Sequence, residues 1–161
     1  MKTDFPITPA IRVLREHKID FEPHIFDYVE KGGTKHSAEV LGVDEHAVIK
    51  TLVFETDAKK PIIVLMHGDL QVSTKNLARL ISVKTISPVS AEKANKLTGY
   101  LVGGTSPFGT KTKMPIYAEK TIFDLDKIYI NGGKRGFLVS IIPKILREIL
   151  EIQEVEIGVL N

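Results

Sequence analysis

The sequence predicts an α+β domain built on a mixed, largely antiparallel sheet. Two runs rich in β-branched residues, AVIKTLVFE and PIIVLMH, are separated only by the polar turn DAKK, the pattern of an antiparallel hairpin. Strand-like runs outnumber helical patterns and do not alternate regularly with them, which disfavours a doubly wound parallel sheet. The chain has 161 residues, 43% hydrophobic and 26% charged. That is an ordinary composition for one globular domain, here expected over 1–161 and able to bury about two-thirds of the surface its unfolded chain exposes.

Taken in order, TPAIRVLREHKI predicts a helix over about 9–17, with Thr8 as N-cap and Pro9 at the first helical position. FEPHIFDY alternates loosely and predicts a strand around 21–28; KGGTKH reads as a loop. SAEVLG predicts a short helix capped by Ser37 and closed by Gly42. After the hairpin, STKNLARLI reads as a helix capped by Ser73, and SAEKANKLTG as a helix capped by Ser90 with Gly99 beyond its end. The strand candidates MPIYAE, KIYING and GFLVSI come next, then an amphipathic helix PKILREILEI and an edge strand in VEIGVL. No repeat, low-complexity tract or linker interrupts the chain.

Composition excludes several classes. No apolar run approaches the ~18–20 residues of a membrane span, and the first residues lack the apolar core of a secretory signal. There is no cysteine, so disulfides, thiolate zinc sites and a cysteine nucleophile are excluded, and a cytoplasmic location is expected. The histidines at 17, 24, 36, 46 and 67 form neither H-x-x-x-H nor H-E-x-x-H, so no metal or other cofactor is expected. No G-x-S-x-G elbow anchors a hydrolase triad. A net charge of +2 argues neither for nor against nucleic acid; the distribution of charge says more, and a broad DNA-binding face would need more than the two basic pairs present. Lys111 and Lys113, with Lys134 and Arg135, are two basic pairs beside glycine-rich segments; each pair alone reads as solvated surface, and together they could form a small phosphate-contacting rim.

The most unusual stretch is GYLVGGTSPFGTK, residues 99–111, with four glycines and a proline behind a short apolar run. It is not a Walker A loop. From Gly104 the lysine comes one residue late, and Pro115 interrupts the chain beyond it before a helix could form. A tight inter-strand turn and a ligand-cradling loop both remain open on spacing alone. A second segment, NGGKRG at 131–136, could form a glycine hairpin, an anion-binding nest, or both, with Asn131 adding an amide. Lys50 shares a strand face with Val48, Leu52 and Phe54. It reads either as a lysine snorkelling at a sheet edge or as a cation aimed into a pocket. Such a chain offers a cation, two glycine loops and hydroxyls without an obvious nucleophile, base or metal. A site of that kind works by orienting a reactive substrate and stabilising an oxyanion.

TPAIRVL, IKTLVF around Lys50, TGYLVGGTSPFG at 98–109 and IYINGGKRG at 128–136 together resemble the YbaK/EbsC family, with the blocks in the family's order from about Thr8 to Leu150. These are freestanding aminoacyl-tRNA deacylases related to the editing domain inserted in bacterial prolyl-tRNA synthetases. The resemblance is strongest to the Cys-tRNA(Pro) deacylase branch. It implies a barrel-like mixed sheet with flanking helices, an aminoacyl-tRNA acceptor end as substrate, and prolyl-tRNA synthetase as a further partner. Lys50 matches the family's pocket lysine, beside Thr51; Gly103, Gly104 and Ser106 match the first loop, and Gly132, Gly133, Lys134 and Arg135 the second.

Two positions depart from the branch: Phe26 stands where it has a pocket tyrosine, and Asn131 where it has serine. VEKGGTKH also differs, which removes a pocket aromatic there. In the Cys-specific branch the resemblance implies attack by the substrate's own thiol, a lyase-type deacylation releasing a thiolactone; alanine-editing branches use water. The readings to separate are therefore a trans-editing deacylase, a non-catalytic module binding a tRNA acceptor end or a synthetase, and a small-molecule ester hydrolase.

Overall fold

The computed structural model describes residues 4–160. Helix α1 (Pro9–Glu16) starts where the Thr8 hydroxyl accepts from the Ile11 N–H at 3.1 Å, and it buries Ala10, Ile11 and Leu14. Strand β1 (Glu22–Ile25) comes next. Helix α2 (Gly33–Leu41) begins well before the sequence suggests. Ser37 lies inside it, donating to the Gly33 carbonyl, so KGGTKH is not a free loop. Gly42 ends the helix at φ 67, the left-handed conformation a glycine C-cap supplies.

Strands β2 (Val48–Thr56) and β3 (Pro61–His67) form the expected hairpin, with β4 (Gln71–Val72) after it. Helices α3 (Thr74–Leu80) and α4 (Ala91–Thr98) are capped by Ser73 and Ser90 and flank β5 (Ile86–Pro88). Strands β6 (Ile116–Glu119), β7 (Ile128–Lys134) and β8 (Phe137–Ile141) lead to α5 (Lys144–Ile149). That helix is shorter than PKILREILEI suggests, because Leu150 is extended and Ile152 already opens β9 (Ile152–Val155). The expected edge strand VEIGVL is divided: β9 lies at the sheet edge, while β10 (Gly158–Val159) pairs with β4 in a separate ribbon.

The main sheet runs β1-β8-β7-β2-β3-β6-β9, with β5 also pairing β2. It is mixed, as the sequence suggests: β7–β2, β3–β6 and β6–β9 are parallel, the other pairings antiparallel. Strand β3 is buried on both faces. Ile63 and Leu65 join the larger core beneath α1 and α5, whereas Ile62, Val64 and Met66 pack with Leu77 of α3. No helix among the described residues is long and apolar enough to cross a membrane.

One irregularity positions the site. Along one edge β2 pairs with β3 from Ile49 to Glu55. Along the other it pairs with β7 only at Val48 and Ile49, and with β5 only at Phe54 to Thr56. Among the described residues, 50–53 therefore have no strand neighbour on that side.

Candidate functional site: a cleft at the break in the sheet

A cleft of about 720 Å³ opens at this break. Lys50 and Thr51 of β2 line it, with Phe26 and Tyr28 after β1, Gly103 and Thr105 from the first glycine segment, and Asn131 and Arg135 from the second. Val89 and Ala94, around the start of α4, add apolar wall.

Lys50 is half-buried, and its ammonium donates to the Leu70 carbonyl at 2.5 Å in the turn between β3 and β4. Burial holds its pKa below the usual lysine value, and the carboxylates of Glu45 and Asp69 pull it back upward in part. The lysine is thus half-buried rather than snorkelling at the surface, and among the described residues it forms no ion pair with a carboxylate. It is a cation kept at the cleft by a turn that is itself tied down: the Gly68 N–H donates to Val48, and the Thr34 hydroxyl to the Gly68 carbonyl.

Asn131 stitches the two glycine segments together. Its amide nitrogen donates to the Gly103 carbonyl at 3.1 Å, and its oxygen accepts from the N–H groups of Gly133 (2.7 Å) and Lys134 (3.1 Å). At Gly104 the segments come so close that a Cβ would stand 2.7 Å from the backbone nitrogen of Arg135. Arg135 donates to the Val102 carbonyl at 2.9 Å and lies over the Tyr28 ring.

Several residues singled out from sequence lie elsewhere. Ser106 is fully buried and accepts from the Phe108 N–H, locking a turn whose Phe108 sits in the core. Gly132 gives its carbonyl to the Thr8 hydroxyl and presses on the Phe137 ring. The nest expected at NGGKRG is occupied from within, since the nitrogens of Gly133 and Lys134 point at Asn131. The rim is also smaller than the two basic pairs suggest. Lys113 lies in a second groove with Glu151, 3.7 Å from its carboxylate, and Lys111 packs by Gly99. Lys31 replaces them at the cleft, joined by Arg135, with Lys134 exposed beside it.

Tyr28 has no prominence in the sequence. Its hydroxyl approaches Gly103 so closely that a Cβ there would be 2.7 Å away. The signal available was an aromatic in an otherwise polar segment, DYVEKGG. Also unanticipated is the cluster of His46, His67 and Asp69, whose ligand-type atoms lie within 4.8 Å of one another. The imidazoles stack at 3.6 Å and 6°, and His46 Nδ1 bonds Asp69. His67 spends both ring nitrogens, on the His46 carbonyl and the Thr121 hydroxyl. Stacked rings with these partners form a hydrogen-bonded support for the Leu70 turn, where the Leu70 N–H donates to the His67 carbonyl.

Comparison with known proteins adds a family. A family model described as "Aminoacyl-tRNA editing domain" matches residues 32–149. An Enterococcus faecalis protein named "Putative Cys-tRNA(Pro)/Cys-tRNA(Cys) deacylase EbsC" is 28% identical over 151 residues, 93% of this chain and 92% of that one. A proline–tRNA ligase of Thermodesulfovibrio yellowstonii is 30% identical over 148 residues, 89% of this chain but only 23% of the ligase. A solved structure described as "a putative trans-editing enzyme for prolyl tRNA synthetase" superposes with a TM-score of 0.81 at 20% identity, covering 96% of this chain and 99% of that one.

Proposed function

Since the chain belongs to the aminoacyl-tRNA editing domain family, we propose that it is a trans-acting deacylase that removes a wrongly attached amino acid from tRNA, with cysteine on tRNA(Pro) as its main substrate. The observation that carries this is Lys50: a half-buried ammonium on the cleft wall whose hydrogen bond goes to a carbonyl and which makes no ion pair among the described residues. An ester oxygen gaining negative charge is the partner such a cation suits.

In this reading the 3′-terminal aminoacyl ester lies across the break in the sheet, with its carbonyl oxygen toward Lys50. The cysteine thiol gives up its proton and attacks the ester carbonyl carbon. The tetrahedral oxyanion forms beside the ammonium, the carbon–oxygen bond to the ribose breaks, and the ribose hydroxyl leaves with a proton as the thiolactone departs. Orientation supplies most of the acceleration, because attack within one bound molecule needs no separate nucleophile. Water attacking an alanyl ester uses the same oxyanion position. The rim cations Lys31, Lys134 and Arg135 suit a short stretch of phosphate backbone rather than a whole tRNA. Selection of tRNA(Pro) accordingly falls to prolyl-tRNA synthetase acting alongside, in keeping with the likeness to part of a proline–tRNA ligase.

The test compares cysteinyl and seryl esters of the same tRNA(Pro), which differ in one atom. Rapid loss of cysteine alone, absent in Lys50→Ala, is expected. Equal loss of serine would transfer the attack to water, and undiminished turnover by Lys50→Ala would remove the lysine from the chemistry.

A further inference from the structure

The open edge of β2 carries hydrogen-bonding groups that the fold leaves unused. The Val48 carbonyl accepts from Gly68 across β3, whereas the Val53 carbonyl accepts from Val89 on the opposite side, at 3.3 Å. Backbone groups alternate along a strand, so even-numbered residues of β2 face β3 and odd-numbered ones face the break. The Thr51 N–H and C=O and the Val53 N–H consequently point into the cleft, where neither β7 nor β5 reaches them. A separate observation marks the same spot: the Thr51 hydroxyl oxygen is buried with no hydrogen-bond partner among the described residues. Buried polar groups are nearly always paired, and leaving them unpaired is costly.

The geometry points to a subsite for the terminal adenine, which we infer is held edge-on by the Thr51 carbonyl and the Val53 N–H. This rests on the deacylase reading above, which places a 3′-terminal adenosine in the cleft. An acceptor followed by a donor along one strand edge complements an adenine edge, where the 6-amino donor lies beside a ring-nitrogen acceptor. The Thr51 N–H and hydroxyl remain for a further ring nitrogen or the ribose. An added peptide strand does not fit. The open edge is four residues, about 13 Å at ~3.3 Å per residue, and β7 and β5 close it at both ends.

Two measurements test this on the full chain. In the first, ¹⁵N-labelled protein is titrated with adenosine and with purine riboside, which lacks the 6-amino group. Adenosine is expected to move the Thr51 and Val53 amide resonances, with purine riboside at least ten-fold weaker. Equal affinity, or adenosine shifts that spare both amides, overturns the subsite. In the second, deacylation is compared on tRNA ending in adenosine or in purine riboside. A ten-fold or larger fall in kcat/KM with the purine end supports the subsite, and equal rates overturn it while leaving the deacylase intact. Absence of turnover on the adenosine end, with the amide shifts present, instead removes the deacylase reading and keeps the adenine site. Thr51→Val should weaken adenosine several-fold yet preserve discrimination against purine riboside, because the backbone edge is unchanged; loss of discrimination would assign it to the side chain and overturn the backbone role.

Discussion

Replacing Asn131 by alanine should loosen the two glycine segments without touching Lys50. The side chain makes three hydrogen bonds, one to Gly103 and two from Gly133 and Lys134. Each is worth about 0.5–1.5 kcal/mol net. The bonds to Gly103 and Lys134 lie where water replaces a lost partner, so the sum falls toward the lower end, at about 2 kcal/mol. With a urea m-value of about 2 kcal/mol/M, the unfolding midpoint should drop by about 1 M. Asn131→Asp keeps the one oxygen that accepts from Gly133 and Lys134 but turns the donor to Gly103 into a carboxylate oxygen facing that carbonyl, so it should cost less than alanine but more than the loss of the bridge alone. Asn131→Ser, with one shorter polar atom, should fall between Asp and Ala. Urea denaturation of the four proteins measures the series. An alanine cost below about 0.5 kcal/mol, or an aspartate as damaging as alanine, would refute the assignment of Asn131 as the clamp between the loops.

Thr8→Ala removes both the α1 cap and the donor to the Gly132 carbonyl, and should lower stability by about 2 kcal/mol in the same assay. Gly103→Ala places a methyl where the Tyr28 hydroxyl lies, at a backbone φ of 89°, so it should raise KM for the tRNA end with a smaller change in kcat. Burial lowers the Lys50 pKa, so between its folded value and 10.5 the unfolded chain binds more protons; stability rises with pH across that interval while deacylation falls. Lys50→Met should abolish the stability trend, as monitored by the unfolding midpoint against pH, while the rate trend is read on the unaltered protein. Burial likewise lowers the His67 pKa, so stability should fall as pH drops from 6.5 toward its folded value, with a shallower slope in His67→Gln.

The hairpin β2–β3 and the caps Thr8, Ser73 and Ser90 were legible because local chemistry and final structure agree at those positions. The start of α2 was not. Gly32 and Gly33 read as loop, yet the helix begins there because Thr34 binds Glu45 and the Gly68 carbonyl, contacts far along the chain. Lys50 and the two glycine segments stood out as odd chemistry in ordinary surroundings. Their division of labour did not: Phe108 draws Ser106 and its neighbours into the core, so much of that glycine content serves close packing. The break beside Thr51 was invisible in sequence, because it arises from where β7 and β5 stop along β2. Lys111 and Lys113 looked equivalent to Lys134 and Arg135 only because sequence proximity to glycine says nothing about which way a loop turns.

The most direct test is a deacylation time course with purified protein on Cys-tRNA(Pro), Ala-tRNA(Pro) and Pro-tRNA(Pro), run beside Lys50→Ala. Fast loss of cysteine, retention of proline and no turnover by the variant is the expected result. Retention of all three amino acids, with tRNA still bound, would contradict a deacylase and leave a protein that only holds the acceptor end.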